Sequence, residues 1–286
     1  MKAMIRLLSP VCIIFCFLLS GCSESAESVV SLDDIPAYSG DAYVVINGNI
    51  PFFTESELTT TAYEEYSELD YLNRCGTASA CVGLETMPTE ERGNIGHVKP
   101  SGWQTVKYDC VDGKYLYNRC HLIGFQLTGE NATAENLITG TRYLNVDGML
   151  PFENMVADYV QETENHVLYR VTPVFNEEDF VAQGVLMEAW SVEDTGDGIC
   201  FNVFCYNVQP GIVIDYATGE SWLDGGEAPN STENTMMYVV NLSSEKFHDS
   251  TCGSAEKLSD DNRMEFFGSR EVLIAQGYSP CGSCKP

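Results

Sequence analysis

Positive charge is scarce in this sequence. Its 286 residues carry 15 Lys and Arg against 42 Asp and Glu, a formal net charge of -27, which excludes a generic polyanion binder held by a diffuse cationic surface. Histidine is scarcer still: with four in the chain, the side chains that change charge near neutral pH can be weighed one by one. No internal repeat is visible, which removes solenoid and propeller architectures. The long apolar run Leu7–Leu19 follows Lys2 and Arg6 and is too short to span a bilayer. It reads as a signal peptide over residues 1–21, so the mature chain is expected to have no transmembrane helix and to work outside the cytoplasm.

The signal ends in "LSGC", residues 19–22. That stretch resembles the lipobox of bacterial lipoproteins, which implies cleavage before Cys22, acylation of Cys22 and anchoring at the cell surface; if the lipobox is not used, the chain is secreted. Residues 22–37, rich in Ser and acidic side chains, are expected to form a flexible tether. The remainder divides into a main domain over 38–219, a Gly/Ser/Asn/Pro linker over 220–237 and a small module over 238–286. Of 12 cysteines, Cys12 and Cys16 leave with the signal and Cys22 is the lipid site. In an oxidising compartment the default for the others is disulfide pairing. The pairs closest in sequence ahead of the tail are Cys75 with Cys81, Cys110 with Cys120, and Cys200 with Cys205, although six cysteines leave the connectivity open.

The few cations cluster. Between Arg92 and Arg142, the cations Arg92, Lys99, Lys107, Lys114, Arg119 and Arg142 outnumber Asp109, Asp112, Glu130 and Glu135 by two. A locally basic segment inside a strongly acidic chain therefore contains His121. Around it, "AYVVING" predicts a strand entering a hairpin, and "GWQTVKYD" and "KYLYNRCHLIG" predict a β-hairpin over residues 102–124, with His121 near the end of its second strand. "PFENMVADYVQET", with Pro151 in the first turn, predicts an amphipathic helix that uses Glu153, Met155, Val156, Tyr159 and Val160 at helical spacing. Three long strands follow, the last broken at Pro210–Gly211. The fold class expected is α+β with a largely antiparallel sheet.

A histidine at a strand end, a carboxamide about two dozen residues later and a carboxylate in the next helix suit metal-assisted hydrolysis. Cleaving a phosphodiester needs a base for water, which imidazole supplies, and a hard cation held by oxygen ligands without full neutralisation. "NRCH" followed by "ENLITGTRYLNVDGMLPFEN" resembles the DNA/RNA non-specific endonucleases, ββα-metal (His-Me finger) nucleases whose hallmark is Asp-Arg-Gly-His followed by two Asn and a Glu. The resemblance implies His121 as general base, Asn145 as the direct protein ligand of Mg²⁺ (or Mn²⁺), and Glu153 orienting water around that ion. It further implies Asn136 as a support for the site, Arg119 as a phosphate contact or loop buttress, and cleavage of DNA and RNA to 5′-phosphate ends. It also requires "TRYLN" to be helical, which propensity alone does not indicate.

Three positions depart from the family pattern: Asn118 stands for its Asp, Cys120 for its Gly and Gly140 for its Gln. Asn118 and Cys120 favour a rival reading, an inactive surface lipoprotein that captures nucleic acid or a protein on the same fold; a phosphodiesterase for smaller nucleotides is a third. His97 and His166 lack such company and read as structural. In the tail, His248, Cys252, Cys281 and Cys284 have the spacing of a zinc site. "FHDSTC" with "GYSPCGSCKP" resembles Ada-like zinc-binding segments of exported nucleases and DNA-uptake proteins; the alternative is a disulfide from Cys252 to either tail cysteine.

Overall fold

The computed structural model describes residues 30–226, 236–259, 262–268, 270–275 and 277–286. The signal peptide and Cys22 lie outside the described residues. In chain order the strands of the main body are β1 (Tyr43–Val45), β2 (Tyr63–Tyr66), β3 (Ala78–Val82), β4 (Tyr117–His121), β5 (Leu137–Thr141), β6 (Val167–Val174), β7 (Gly184–Ser191), β8 (Cys200–Tyr206), β9 (Ile212–Ile214) and β10 (Ser221–Leu223). The tail contributes β11 (Met236–Asn241), β12 (Lys246–Asp249), β13 (Arg263–Gly268) and β14 (Ser279–Pro280). Three α-helices occur among the described residues: α1 (Phe125–Thr128), α2 (Leu150–Thr163) and α3 (Arg270–Ala275).

A six-stranded sheet, order β1-β8-β7-β6-β3-β2, forms the frame, and every pairing in it is antiparallel. Strand alternation sorts its side chains. Tyr169 and Val171 of β6, Val185, Met187 and Ala189 of β7, and Phe201, Val203 and Cys205 of β8 join the core that also takes in Phe152, Val156 and Val160 of α2. Each large side chain buried there is worth about 1.5–3 kcal/mol. Met155 does not belong to that face; it is exposed, and Ala157 is buried instead. On the other face Leu186, Phe204 and Tyr206 are covered by Val30 and Ile35, and the Tyr206 hydroxyl donates to the Pro36 carbonyl at 2.6 Å. The stretch expected as a tether is therefore held against the sheet from Val30 onward, because its few apolar residues have an apolar face to cover.

Two hairpin expectations are corrected. β1 pairs with β8 and not with a sequence neighbour; past it, Asn47, Gly48 and Asn49 all take positive φ, and Asn49 Nδ2 caps the Cys200 carbonyl at 3.1 Å. The partner of β4 is β5, in the register His121 to Leu137 and Tyr117 to Thr141. From residues 102–116 only the isolated bridge between Lys107 and Tyr115 remains of the predicted hairpin. The fully buried run "LITGT" of β5 wins the pairing because both its faces leave water.

After β5 the backbone turns directly into helix. Leu144 N–H donates to Thr141 Oγ1 at 2.9 Å, and Leu144–Met149 forms a π-helical stretch running into α2, so β4, β5 and α2 make a ββα unit. No cysteine pairing is formed: all nine described cysteines are free. Cys200 and Cys205 sit five positions apart on one strand, which puts them on opposite faces about 17 Å apart. Cys120 is buried while Cys110 is exposed.

The tail forms its own sheet, order β13-β11-β12-β14. It begins two residues before the expected module, and β10 lies within the expected linker, paired with β9. Leu72 and Phe180 of the main body share a core with Tyr238, Phe247 and Phe266 of the tail, and Asn73 Nδ2 donates to the Tyr278 hydroxyl at 2.8 Å. Among the described residues no helix is long and apolar enough to cross a membrane.

Candidate active site and tail cluster

His121 closes β4 with its side chain almost buried, 7% exposed, at the floor of a cleft of about 700 Å³. Nε2 lies 2.8 Å from the Asn131 carbonyl oxygen, and Nδ1 lies 3.2 Å from an Arg92 guanidinium nitrogen. A carbonyl only accepts and a guanidinium only donates, so the two contacts select one tautomer: Nε2 protonated, Nδ1 with its lone pair. Burial lowers the imidazole pKa from its ordinary 6.5, and the Arg92 charge lowers it further, against the opposing pull of the Asn131 carbonyl. Both effects favour the neutral imidazole at His121.

The cleft also collects Arg119, Asn145 and Glu153. Arg119 buttresses a loop, donating to the Gly96 carbonyl at 2.9 Å and to the Val98 carbonyl, and its guanidinium stacks 3.9 Å over the Trp103 ring. Asn145 enters from the π-helical stretch and Glu153 from the first turn of α2. Neither side chain makes a hydrogen bond to another described residue. Burial raises the Glu153 carboxyl pKa to about 7, with Arg92 pulling in the other direction. Space for that carboxyl exists because residue 124 is glycine: a Cβ there would stand 2.8 Å from its carbon. A carboxamide and a carboxyl that line one cleft, neither taken by a protein donor, fit a hard divalent cation.

Asn136 does not reach the cleft. Fully buried, it accepts from Ile123 N at 2.9 Å and donates to the Ile123 carbonyl at 3.0 Å, stapling the turn just beyond His121. The departures at 120 and 140 prove to be neighbours across β4 and β5: a Cβ on residue 140 would fall 2.3 Å from Cys120 Sγ. The cysteine occupies the room that the absent side chain at 140 leaves. Sequence reasoning missed Arg92 as a partner of His121; its membership of the basic segment was the available signal, and no spacing rule connects the two.

Residues 55–193 match the sequence profile of the family described as DNA/RNA non-specific endonuclease. Those residues form a DNA/RNA non-specific endonuclease domain. It is therefore a hydrolase of the metal-dependent endonuclease class, with nucleic acid as its substrate. The endonuclease domain is similar to the crystal structure of NucA from Streptococcus agalactiae with no metal bound, at 26% identity and TM-score 0.57, covering 68% of this chain and 92% of that one. The same protein with a magnesium ion bound matches at 25% identity and TM-score 0.58, covering 68% and 93%. The Sda1 nuclease with a bound zinc ion shares the fold at 24% identity and TM-score 0.56, over 64% of this chain and 96% of that one.

In the tail the structure brings His248, Cys252, Cys281 and Cys284 together, their ligand atoms all within 4.8 Å of one another. Cys252 Sγ lies 3.5 Å from His248 Nδ1. Backbone N–H groups of Cys284 and Ser283 pull the Cys281 thiol down to about 7, so part of the cluster is ready as thiolate.

Proposed function

We propose that this endonuclease cuts both DNA and RNA without sequence preference, outside the cell, leaving 5′-phosphate ends. His121 Nδ1 takes the proton of the attacking water. Arg92 occupies that lone pair in the free protein and must leave it first; an incoming phosphate offers the guanidinium a stronger, charged acceptor. Mg²⁺ or Mn²⁺ would be held by Asn145, with Glu153 ordering the water around it, and would neutralise charge growing on the scissile phosphate. Arg119 and Asn136 act as positioning residues, one holding the 96–98 loop and the other the 121–124 turn. The cleft answers the objection raised by an acidic chain: Arg92, Arg119 and Arg142 line it against the lone carboxylate of Glu153. We assign Zn²⁺ to the tail cluster as a structural ion, and surface anchoring to an acylated Cys22.

The observation that carries this reading is the single-tautomer clamp on His121 beside Asn145 and Glu153. The capture-protein alternative loses its support at Cys120, since the paired change at Gly140 accommodates the thiol. The test is incubation of residues 23–286 with plasmid DNA and with RNA in Mg²⁺, with chelator and His121→Ala in parallel. Degradation that disappears in both controls supports the proposal; intact polymer in both Mg²⁺ and Mn²⁺ defeats it.

A further inference from the structure

Tyr115, Tyr117, Arg119 and His121 alternate along one edge of the chain, and all four line the same cleft. Only Tyr115 among them leaves an aromatic ring open to solvent, at 48% exposure; Tyr117 is buried, its hydroxyl bonded to the Gly219 carbonyl at 2.9 Å. The Tyr115 hydroxyl has no hydrogen-bond partner among the described residues. The backbone bridge to Lys107 fixes the residue, and the Lys107 ammonium stands 4.3 Å from the ring centroid. Arg142 lines the cleft as well, bonded at 2.9 Å to an Asp112 carboxylate that is itself largely exposed. An open ring flanked by cations is the chemistry that recognises a nucleobase and its phosphate. At about 3.3 Å per extended residue, Tyr115 lies up to roughly 20 Å from His121, room for several nucleotides before the bond that is cut.

We propose that Tyr115, with Lys107 and Arg142, forms an outlying subsite that stacks one unpaired base and makes single-stranded nucleic acid the preferred substrate of this endonuclease. In a duplex both faces of a base are already stacked, so only an unpaired base can use the ring without first being flipped out. The inference rests on the nuclease reading above.

The experiment compares a single-stranded 12-mer, the same sequence as duplex, and a dinucleotide, using wild type, Tyr115→Ala and Tyr115→Phe. For the single strand, Tyr115→Ala is expected to raise KM about tenfold with kcat unchanged, while Tyr115→Phe stays near wild type because stacking does not need the hydroxyl. Dinucleotide cleavage should not change, since it cannot reach the subsite. An equal loss on all three substrates, or no loss on the single strand, overturns the proposal. Binding of the fluorescent 12-mer to His121→Ala in chelator, with and without Tyr115→Ala, separates the two readings: stacking is then measured whether or not the protein cuts. Equal affinity of those two proteins also overturns it.

Discussion

Two histidines sit near the main sheet with both ring nitrogens occupied, and they are opposites. His121 lies between a guanidinium and a backbone carbonyl, and its pKa is pushed down. His166 lies between two carboxylates, Glu193 at 2.6 Å and Glu85 at 3.1 Å. The bond to Glu193 raises its pKa, burial opposes this, and Glu85 adds to the rise. In the first arrangement the Nδ1 lone pair is held by a guanidinium that lines the same cleft; in the second both nitrogens sit in ion pairs that tie three loops together. What separates the two rings is the sign of their neighbours, since burial acts on both in the same direction.

The widest separation of the two comes from deleting each ring. His121→Ala is expected to lower kcat by about 10²–10⁴, the usual worth of a general base, with little change in Tm. Loss of stability with activity retained would reverse the assignment. Next in size is Gly124→Ala. The new Cβ would meet the Glu153 carboxyl, which can swing away without unfolding the protein, so kcat/KM should fall about a hundredfold, as small displacements in active sites do. An unchanged rate would mean that Glu153 needs no fixed place.

Acid dependence sharpens the contrast. With the divalent ion bound and the Glu153 carboxyl held ionised beside it, the acid limb of kcat/KM left to His121 should have its midpoint below 6.5, because burial lowers the imidazole pKa from that value. Arg92→Gln removes the neighbouring charge and should move the midpoint upward, whatever it does to the rate; a limb that does not move would disconnect Arg92 from the base. His166 is the reverse case. Its raised folded pKa contributes stability that is full below pH 6.5 and lost as pH rises through the higher folded value. His166→Ala should therefore lower Tm by about 2–4 °C at pH 6, lower it less at pH 9, and leave cleavage near wild type.

Much of the strand that carries His121 was legible. A strand carrying His121 near its end follows from the aromatic and apolar run Tyr115–Ile123, and α2 follows from Pro151 and the spacing of its apolar residues. The helix carrying Asn145 was invisible to propensity, because Tyr143, Asn145, Val146, Asp147 and Gly148 are poor helix formers. Gly148 is there because the stretch closes against β8, where a Cβ would come 3.3 Å from that of Cys205. The hairpin that local pattern favoured over 102–124 lost to a pairing with β5, since a local turn signal carries no information about which strand will be buried on both faces.

The order of residues was enough to set the chemistry available: an imidazole at a strand end, carboxamides and a carboxylate in a pattern that resembles a nuclease family's, and four tail side chains with metal-site spacing. Those are properties of residue type and order. The tertiary arrangement placed Arg92, 29 residues from His121, against its Nδ1, let Cys120 fill the space beside Gly140, and left the nine described cysteines unpaired. Each of these depends on where separate segments come to rest against one sheet, and burial and charge act through distance in space, not along the chain.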